Sequence, residues 1–404
     1  MLYRNLQNTN DKLSILGYGC MRFPTKNGSI DEPRTEKQIL SAIEQGVNYF
    51  DTAYVYPNSE KILGKILSKG YYDKVKIATK LPLHMIQSKN DIERIFNEQL
   101  LRLQTNRIDY YLIHNINTFE NWLKLKEMDI KSFINKEREE GRIVNIGFSF
   151  HGNVQTFKKV ADDYPWDFCQ IQYNYVDENF QAGKEGLGYA ATKGMGIIVM
   201  EPLRGGTLVN KMPLPAQKII SGFKENRTPA EWGLRWVWNH PEVTVVLSGM
   251  NDEKHIEENI RIAGSALPNS MSEEELAMLR AVKKEFEAKI KVPCTGCAYC
   301  MPCPHGVDIP QCFALYNSKA MFGGIFPVWF YLSGTSKKSD RATRASQCKN
   351  CGLCERNCPQ NLPIRKHLQE TARNMEKIHL KVISGIADRV TYKGRKNNRA
   401  VQQF

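Results

Sequence analysis

Short β-rich runs alternate with helical segments from Ser14 to about Gly249, and this repeat constrains the fold more than any other feature of the sequence. Parallel strands need long crossover connections, and stretches such as 35–45, 89–103 and 228–239 have helix length and helical apolar spacing. The runs that we identify as strands are residues 14–18, 47–51, 75–79, 109–114, 143–148, 168–172, 196–200 and 243–247. Eight strand–helix units within about 250 residues fit one closed (β/α)8 TIM barrel, an α/β fold, better than an open doubly wound sheet.

Two glycine patterns invite comparison with a dinucleotide-binding fingerprint, and both lie in the wrong context. Gly186 and Gly188 follow a polar loop, whereas Gly194 and Gly196 lead into a predicted strand. The fingerprint needs its glycines between a strand and the helix that follows it. Any dinucleotide must therefore be held in another way.

Polar side chains lie at or just beyond the ends of three successive predicted strands. Asp51 ends the second strand, and Tyr56 lies in the loop that follows it. Lys80 and His114 come at the ends of the third and fourth strands, so all four residues, which we call the tetrad, converge on one barrel mouth. A neighbouring ammonium stabilises phenolate and lowers a Tyr pKa, while a carboxylate keeps the Lys charged. Singly, each residue has an ordinary structural role; together they predict that Tyr56 protonates a carbonyl oxygen to which His114 hydrogen-bonds.

The tetrad lies within longer motifs. They are Phe50-Asp51-Thr52-Ala53-Tyr54-Val55-Tyr56, Asn58-Ser59-Glu60, Leu63-Gly64, Ile77-Ala78-Thr79-Lys80 and Asp109-Tyr110-Tyr111-Leu112-Ile113-His114. Over roughly residues 1–265 these segments resemble the aldo-keto reductases. The resemblance implies catalytic roles for the tetrad and an NAD(P)H molecule extended across the barrel mouth, with its nicotinamide near Ser149 and Gln170. It also implies hydride transfer between an aldehyde or ketone and the alcohol, with sugars among the candidates.

The sequence departs from this family at two places that concern the cofactor. The family usually has Asn after the Ser at position 149, and Phe150 stands there instead. In the late phosphate-binding segment His255 replaces the Arg that many NADP-preferring members use. A 2′-phosphate favours a bidentate guanidinium or a fixed ammonium, so this segment favours NADH, with Lys254 as a substitute partner. The remaining contacts implied here are Ser248, Glu258 and Asn259, the last two to the adenine or ribose.

Cysteines are strongly clustered. Only Cys20 and Cys169 precede residue 290, and the other nine lie between Cys294 and Cys358. Residues 1–17 are polar and charged and lack the apolar stretch of a secretory signal, so we expect the chain to be cytoplasmic. In that compartment a cysteine cluster favours metal over disulfides.

The cysteine spacing predicts two [4Fe-4S] clusters. The run from Cys348 to Pro359 reads C-x2-C-x2-C-x3-C-P, and the run from Cys294 to Pro304 is one residue shorter before its last cysteine. In two-cluster ferredoxins the fourth Cys of such a run ligates the other cluster. Exchange of this kind gives two sets, one of Cys294, Cys297, Cys300 and Cys358 and one of Cys348, Cys351, Cys354 and Cys303. Cys312 is the alternative to Cys303, and structural zinc, commonly held by two separated pairs, is the alternative to the clusters.

The chain is thereby divided into four parts. We predict a barrel at 1–270, a connector helix at 271–292 that opens on a capping box at Ser272, a small, mainly helical ferredoxin-like domain at 293–375 and a basic tail at 376–404. The formal charge is +13, but the tail contains no recognisable nucleic-acid module, so we expect no nucleic-acid partner. The apolar stretch 321–332 is broken by glycines and a proline and is too short to span a membrane.

Two functions remain open. In the first, the protein is a carbonyl reductase whose clusters assist by structure, redox sensing or exchange with an external redox partner protein. In the second, it is an iron–sulfur electron-transfer or redox-regulatory protein with a weakly active barrel. A cluster carries one electron and hydride carries two, and the sequence shows no flavin motif that would mediate between them. The segment 322–331 either packs in the core, which we favour, or covers the clusters or docks a partner.

Overall fold

The computed structural model describes residues 1–6, 9, 11–116, 118–294, 296, 300–334, 343–358 and 361–377. They form two compact units, the first comprising 1–210 and 218–281 and the second comprising 211–217 and the residues from 282 onward. The division at 281 falls inside the helix that the sequence predicts as a connector. Residues 378–404, most of the predicted basic tail, lie outside the described part of the chain.

The first unit contains the predicted barrel. Eight parallel strands close on themselves in the order β10-β11-β12-β3-β6-β7-β8-β9. They are β3 (Leu16–Gly19), β6 (Tyr49–Asp51), β7 (Lys76–Pro82), β8 (Ile108–Ile116), β9 (Ile143–Phe150), β10 (Phe168–Gln172), β11 (Gly196–Met200) and β12 (Val245–Ser248). Two antiparallel pairs lie outside the barrel, β1 (Tyr3–Asn5) with β2 (Lys12–Ser14) and β4 (Thr25–Lys26) with β5 (Ser29–Ile30). The eight strands predicted from the sequence are confirmed.

Helices connect the strands, and local capping explains where several of them begin. They are α1 (Glu32–Glu44), α2 (Ser59–Leu67), α3 (Lys89–Leu103), α4 (Phe119–Glu127), α5 (Ile130–Glu139), α6 (Val154–Asp163), α7 (Gly183–Thr192), α8 (Thr207–Asn210), α9 (Leu214–Ser221), α10 (Pro229–Trp238), α11 (Glu253–Ala263) and α12 (Glu273–Glu287). Helix α1 begins earlier than predicted because the Asp31 side chain accepts a hydrogen bond from the Arg34 amide and Pro33 suits the first turn. The predicted capping box of α12 is confirmed by reciprocal bonds between Ser272 and Glu275.

Aromatic rings fill part of the barrel interior. Tyr49, Tyr110 and Phe168 come from different strands and pack edge to face, with ring centroids 5.2 and 5.1 Å apart. Gly147 makes room for Phe168, since a Cβ at Gly147 would lie 2.5 Å from its carbonyl oxygen and 2.7 Å from its ring. This solid interior leaves the carboxyl ends of the strands as the place for chemistry.

The second unit is mainly helical, as predicted. Its helices are α13 (Ile309–Phe322), α14 (Phe326–Gly334), α15 (Leu353–Arg356) and α16 (Ile364–Met375), and they enclose an apolar cluster that includes Val328, Tyr331 and Leu332. The segment 322–331 therefore contributes to the core, although Ile325 and Phe330 are exposed. No helix in the described ranges has both the length and the apolar character needed to cross a membrane.

Candidate active site and cysteine cleft

The fold brings the tetrad together at the carboxyl ends of neighbouring strands. Asp51 ends β6, and Tyr56 lies in the turn between β6 and α2. Strand β7 is longer than predicted, so Lys80 lies within it, two residues beyond the register partner of Asp51. His114 lies within β8 and pairs with Pro82 of β7. Parallel pairing thus places all four residues at one end of the barrel.

Lys80 and Asp51 form a buried ion pair. The Lys80 Nζ lies 2.6 Å from Asp51 Oδ1 and donates a second hydrogen bond of 2.7 Å to the carbonyl oxygen of Thr52. Both side chains are almost fully excluded from solvent. Burial raises the pKa of the Asp51 carboxyl, and the Lys80 ammonium opposes that rise. The carboxylate expected beside the Lys is therefore present and paired with it.

Tyr56 lies between Lys80 and His114. The Lys80 Nζ is 5.4 Å from the centroid of the Tyr56 ring, and the His114 ring lies 6.3 Å from it in an edge-to-face arrangement. The pKa of Tyr56 is raised well above its usual value by burial first, and then by the carboxylates of Asp51 and Glu201. The net shift is therefore upward, and the lowering predicted from the neighbouring ammonium is not among its main causes. Desolvation dominates, and the Lys80 ammonium is directed to Asp51 and Thr52.

A raised pKa keeps the Tyr56 phenol protonated at neutral pH. A protonated phenol can donate a proton to a neighbouring carbonyl group. Arg22, which the sequence analysis did not single out, opposes the rise in the Tyr56 pKa. Its guanidinium nitrogens come within 3.4 Å of where a Cβ of Gly205 would stand. Arg22 lies in a loop and therefore has no periodic signal in the sequence.

A second buried network supports the tetrad. Glu60 accepts hydrogen bonds from the Thr79 hydroxyl at 2.6 Å and from the Gln99 amide at 2.9 Å. Gln99 also donates to the carbonyl oxygen of Lys80 at 3.1 Å, and Arg102 pairs with Glu60 at 3.1 Å. This network holds the backbone of β7 in place at Lys80. Gln99 was missed because a Gln in an amphipathic helix normally faces solvent.

Removing the ammonium from the buried pair should destabilise the protein strongly. We expect Lys80→Met to lower the free energy of unfolding by about 3–5 kcal/mol, because it leaves the Asp51 carboxylate buried without its counter-charge. The double variant Asp51→Asn/Lys80→Met should recover part of that loss. Urea denaturation measures both, with Lys61→Met on the exposed face of α2 as the control. A Lys80→Met variant as stable as the control would contradict the ion pair.

Ser149 and Gln170 are the residues expected near a nicotinamide. They are paired across β9 and β10 and are buried. The Ser149 hydroxyl accepts a hydrogen bond of 2.8 Å from the Asn115 amide. Within the described residues, the Oε1 atom of Gln170 is buried without a hydrogen-bond partner, and such an atom suits a carboxamide donor. Phe150 instead packs against Phe157 of α6, with centroids 5.3 Å apart, so it replaces the family's Asn with a core contact.

The predicted phosphate-binding segment forms the end of β12 and the start of α11. The Asn259 amide donates to the Ser248 hydroxyl at 3.0 Å, so these two residues are together. Glu258 accepts from the Thr228 hydroxyl at 2.6 Å. Lys254 and His255 are exposed on the first turn of α11.

A carboxylate that the sequence analysis did not consider lies beside them. Glu253 accepts hydrogen bonds from Arg34 at 2.8 Å and from Gln38 at 3.0 Å, and Asp252 lies 3.5 Å from the same Arg34. The Arg34 bonds lower the pKa of Glu253 to about 2, so the carboxylate stays charged. The carboxylates of Asp252 and Glu253 therefore place two negative charges at the start of α11, and both lie close to the Arg34 guanidinium.

One predicted set of cysteines surrounds a cleft in the second unit. Cys303, Cys348, Cys351 and Cys354 all line a cavity of about 170 Å³, which we call the cysteine cleft. Cys351 is exposed, whereas Cys354 is buried. Cleft residues thus come from both cysteine runs, as the predicted exchange of ligands requires.

The other predicted set is only partly described. Cys297 lies outside the described residues. Cys300 also lines the cysteine cleft, while Cys294 and Cys358 are partly buried against the apolar cluster of the second unit. The alternative ligand Cys312 is buried in that cluster, its thiol 3.6 Å from the carbonyl oxygen of Thr343, and burial raises its pKa above the usual range. Cys312 does not line the cleft.

Comparisons with known proteins match two separate parts of the chain. The model of the aldo/keto reductase family matches residues 15–284, and that of a 4Fe-4S dicluster domain matches residues 293–363. An uncharacterized oxidoreductase of Schizosaccharomyces pombe is 27% identical over 289 residues, covering 68% of this chain and 88% of the relative. L-Galactose dehydrogenase of Arabidopsis thaliana is 25% identical over 300 residues, covering 69% and 93%. The holo form of an aldo-keto reductase from Bacillus halodurans, 24% identical, matches with a TM-score of 0.58 over 70% of this chain and 96% of its own, which shows the fold.

Proposed function

Because the chain belongs to the aldo/keto reductase family and carries a 4Fe-4S dicluster domain, we propose that it is an NAD(P)H-dependent oxidoreductase that interconverts carbonyl compounds and alcohols. The observation that carries the proposal is the convergence of Tyr56 and His114 on the buried Lys80–Asp51 pair. In this proposal Tyr56 donates the proton to the carbonyl oxygen, and His114 orients that oxygen. Lys80 bonds to the Asp51 carboxylate and to the carbonyl oxygen of Thr52, and so holds this strand end and its charges beside the phenol.

The residues at the barrel mouth fit a nicotinamide cofactor. In this proposal Gln170 offers a buried acceptor to its carboxamide and Ser149 offers a hydroxyl, while Asn259, which donates a hydrogen bond to Ser248, contacts the adenine or ribose. When bound, the cofactor supplies the hydride. The role of these side chains is to hold the reacting carbon close to that hydride and to keep the orientation fixed.

The cofactor preference can be tested at Glu253. We expect NADH to be preferred, because two carboxylates at the start of α11 repel a 2′-phosphate and Glu253 occupies Arg34. Glu253→Gln should release Arg34 and raise the ratio of kcat/KM for NADPH over NADH by on the order of tenfold. Glu257→Gln, an exposed carboxylate on the same helix, is the matched control. An equal ratio in the two variants would contradict a role for Arg34 and Glu253, and Lys254→Ala then tests the substitute predicted from the sequence.

We further propose that the eight predicted cysteines hold two [4Fe-4S] clusters. Four thiols around one cleft form the donor set that such a cluster needs. The described part of the chain contains no three Cys, His, Asp or Glu side chains arranged to hold one metal ion, as structural zinc requires. In a [4Fe-4S] cluster each thiolate binds a different iron, so its four cysteines lie farther apart than the ligands of a single zinc ion. Reduced thiols and oxygen-sensitive clusters suit a cytoplasm poor in oxygen.

Steady-state kinetics test the reductase function. Oxidation of NADH and NADPH is followed with a panel of aldehydes, ketones and aldoses, the last included because one relative is an L-galactose dehydrogenase. Substrate-dependent turnover that is lost in Tyr56→Phe supports the proposal. Turnover with none of the panel in protein of full iron content would instead support the second candidate, an electron-transfer or redox-regulatory protein. The exposed position of Cys351 is the observation that favours this second candidate.

A further inference from the structure

The positive charge of the chain is concentrated in its cysteine-containing part. Residues 293–404 contain 17 Lys and Arg against six Asp and Glu, whereas residues 1–292 contain 39 against 37. The later part therefore carries a net charge of +11 out of +13. Charge so unevenly distributed creates a field at one region of a protein, and such a field attracts partners of opposite sign.

Of this charge, a net +7 lies in residues 335–342 and 378–404, outside the described part of the chain, and the described residues from 293 to 377 carry a net +4, part of which lies at the cysteine cleft. Lys349 and Arg365 line the cleft and are exposed, as is the neighbouring Arg356. Between Ala345 and Cys358 the sole carboxylate is Glu355, which bonds to Arg365 at 2.9 Å. The rim of the cleft is therefore positively charged.

The cleft also opens to solvent. Cys351, which lines it, is exposed, and Leu353 on the same lining has 42% of its surface accessible. An exposed apolar side chain within a charged rim is the composition of a small protein interface. A redox centre held here lies near the surface, whereas a purely structural cluster gains nothing from an exposed ligand.

We propose that this face of the second unit docks a small acidic one-electron carrier protein. Cys303, Cys348, Cys351 and Cys354 would hold the electron acceptor, an oxidised [4Fe-4S] cluster, which would gain the one electron that the reduced carrier loses; no atom would be transferred. Electron-transfer encounters are typically small and weak, and complementary charge accelerates them. The proposal rests on the proposed presence of a cluster at this cleft.

The same charge would attract nucleic acid, but the surroundings favour a redox protein. Nucleic-acid binding relies on Lys and Arg that follow a phosphate backbone, commonly with aromatic stacking. Here the cations surround thiols and an exposed Leu353, and the described residues lining the cleft include no Phe, Tyr or Trp.

Isothermal titration with an acidic plant-type [2Fe-2S] ferredoxin tests the docking. Cytochrome c serves as a basic one-electron carrier of the wrong charge. We expect the ferredoxin to bind at about 20 mM salt and its affinity to fall at least about tenfold at about 200 mM, with no binding of cytochrome c. The variant Lys349→Glu/Arg356→Glu should weaken binding at least about tenfold at low salt. The control Lys37→Glu/Lys61→Glu, with the same charge change on exposed barrel helices, should bind as wild type.

A second measurement follows the electron. Chemically reduced ferredoxin is mixed with the oxidised protein under anaerobic conditions, and its reoxidation is followed by absorbance, with the rate expected to fall in the cleft variant but not in the control. Failure of ferredoxin to bind, equal binding by both variants, or displacement of ferredoxin by RNA overturns the proposal. Iron and sulfide analysis of the same samples separates the causes. Full iron content without binding refutes the docking alone, whereas protein that cannot hold iron refutes the cluster as well.

Discussion

Replacing Tyr56 by Phe lowers kcat for carbonyl reduction by about 10²- to 10⁴-fold, the contribution expected of a positioned general acid. The substitution removes one oxygen atom and keeps the ring that packs between Lys80 and His114. The cofactor contacts proposed for Ser149 and Gln170 are untouched, so binding of NADH, measured by fluorescence titration, should remain within about twofold of wild type. The loss therefore appears in kcat rather than in cofactor affinity.

Tyr54→Phe is the matched control for this experiment. Tyr54 lies two residues earlier in the same loop, but its hydroxyl donates to Glu98 at 2.7 Å. We expect its kcat to stay within about threefold of wild type, because that hydroxyl bonds to a surface carboxylate. Equal activities of the two variants would show that Tyr56 is not the proton donor.

The raised pKa of Tyr56 also fixes the direction of the pH dependence. The acid form is the active one in reduction, so kcat should stay level through neutral pH and fall only at strongly alkaline pH. Oxidation of the alcohol needs the phenolate, so its rate should rise with pH over the same range. A fall in the reduction rate between pH 6 and pH 8 that is traced to ionisation of Tyr56 would contradict this raised pKa.

The sequence predicted the barrel well because its signal is local and repeated. Each strand is a short apolar run, and parallel strands of one barrel must end at the same mouth, so Asp51, Lys80 and His114 could be placed together without coordinates. The pKa of Tyr56 could not be predicted, because it depends on how far surrounding side chains exclude water. The contact between Arg34 and Glu253 was missed because the two residues lie 219 positions apart.

In the cysteine region, too, contacts between residues distant in the sequence could not be predicted. Spacing along the chain predicts which thiols share a site; Cys303 lines a cleft with three cysteines of the later run, and Cys300 of the other predicted set lines the same cleft. Spacing could not say that Arg365 and Lys349 would surround that cleft, since Arg365 reaches it from α16. Charge on a neighbouring helix has no periodic signature in sequence.

Removing two thiols of the cysteine cleft should cut the iron content of the protein by half. We expect Cys351→Ala/Cys354→Ala to hold about four iron atoms per chain where the wild type holds about eight, since the second cluster uses other ligands. Iron, zinc and acid-labile sulfide are measured on anaerobically purified protein. A wild type that contains zinc without sulfide would contradict both clusters.

The fourth ligand of that cluster can be identified by comparing Cys303→Ala with Cys312→Ala. Cys303 lines the cleft, whereas the Cys312 thiol is buried against apolar side chains and faces the carbonyl oxygen of Thr343. A ligand must be a thiolate, and burial that raises the pKa of Cys312 disfavours that form. Cys303→Ala should therefore lose iron and sulfide while Cys312→Ala retains both, and the reverse result would assign the ligand to Cys312 and require α13 to move when the cluster binds.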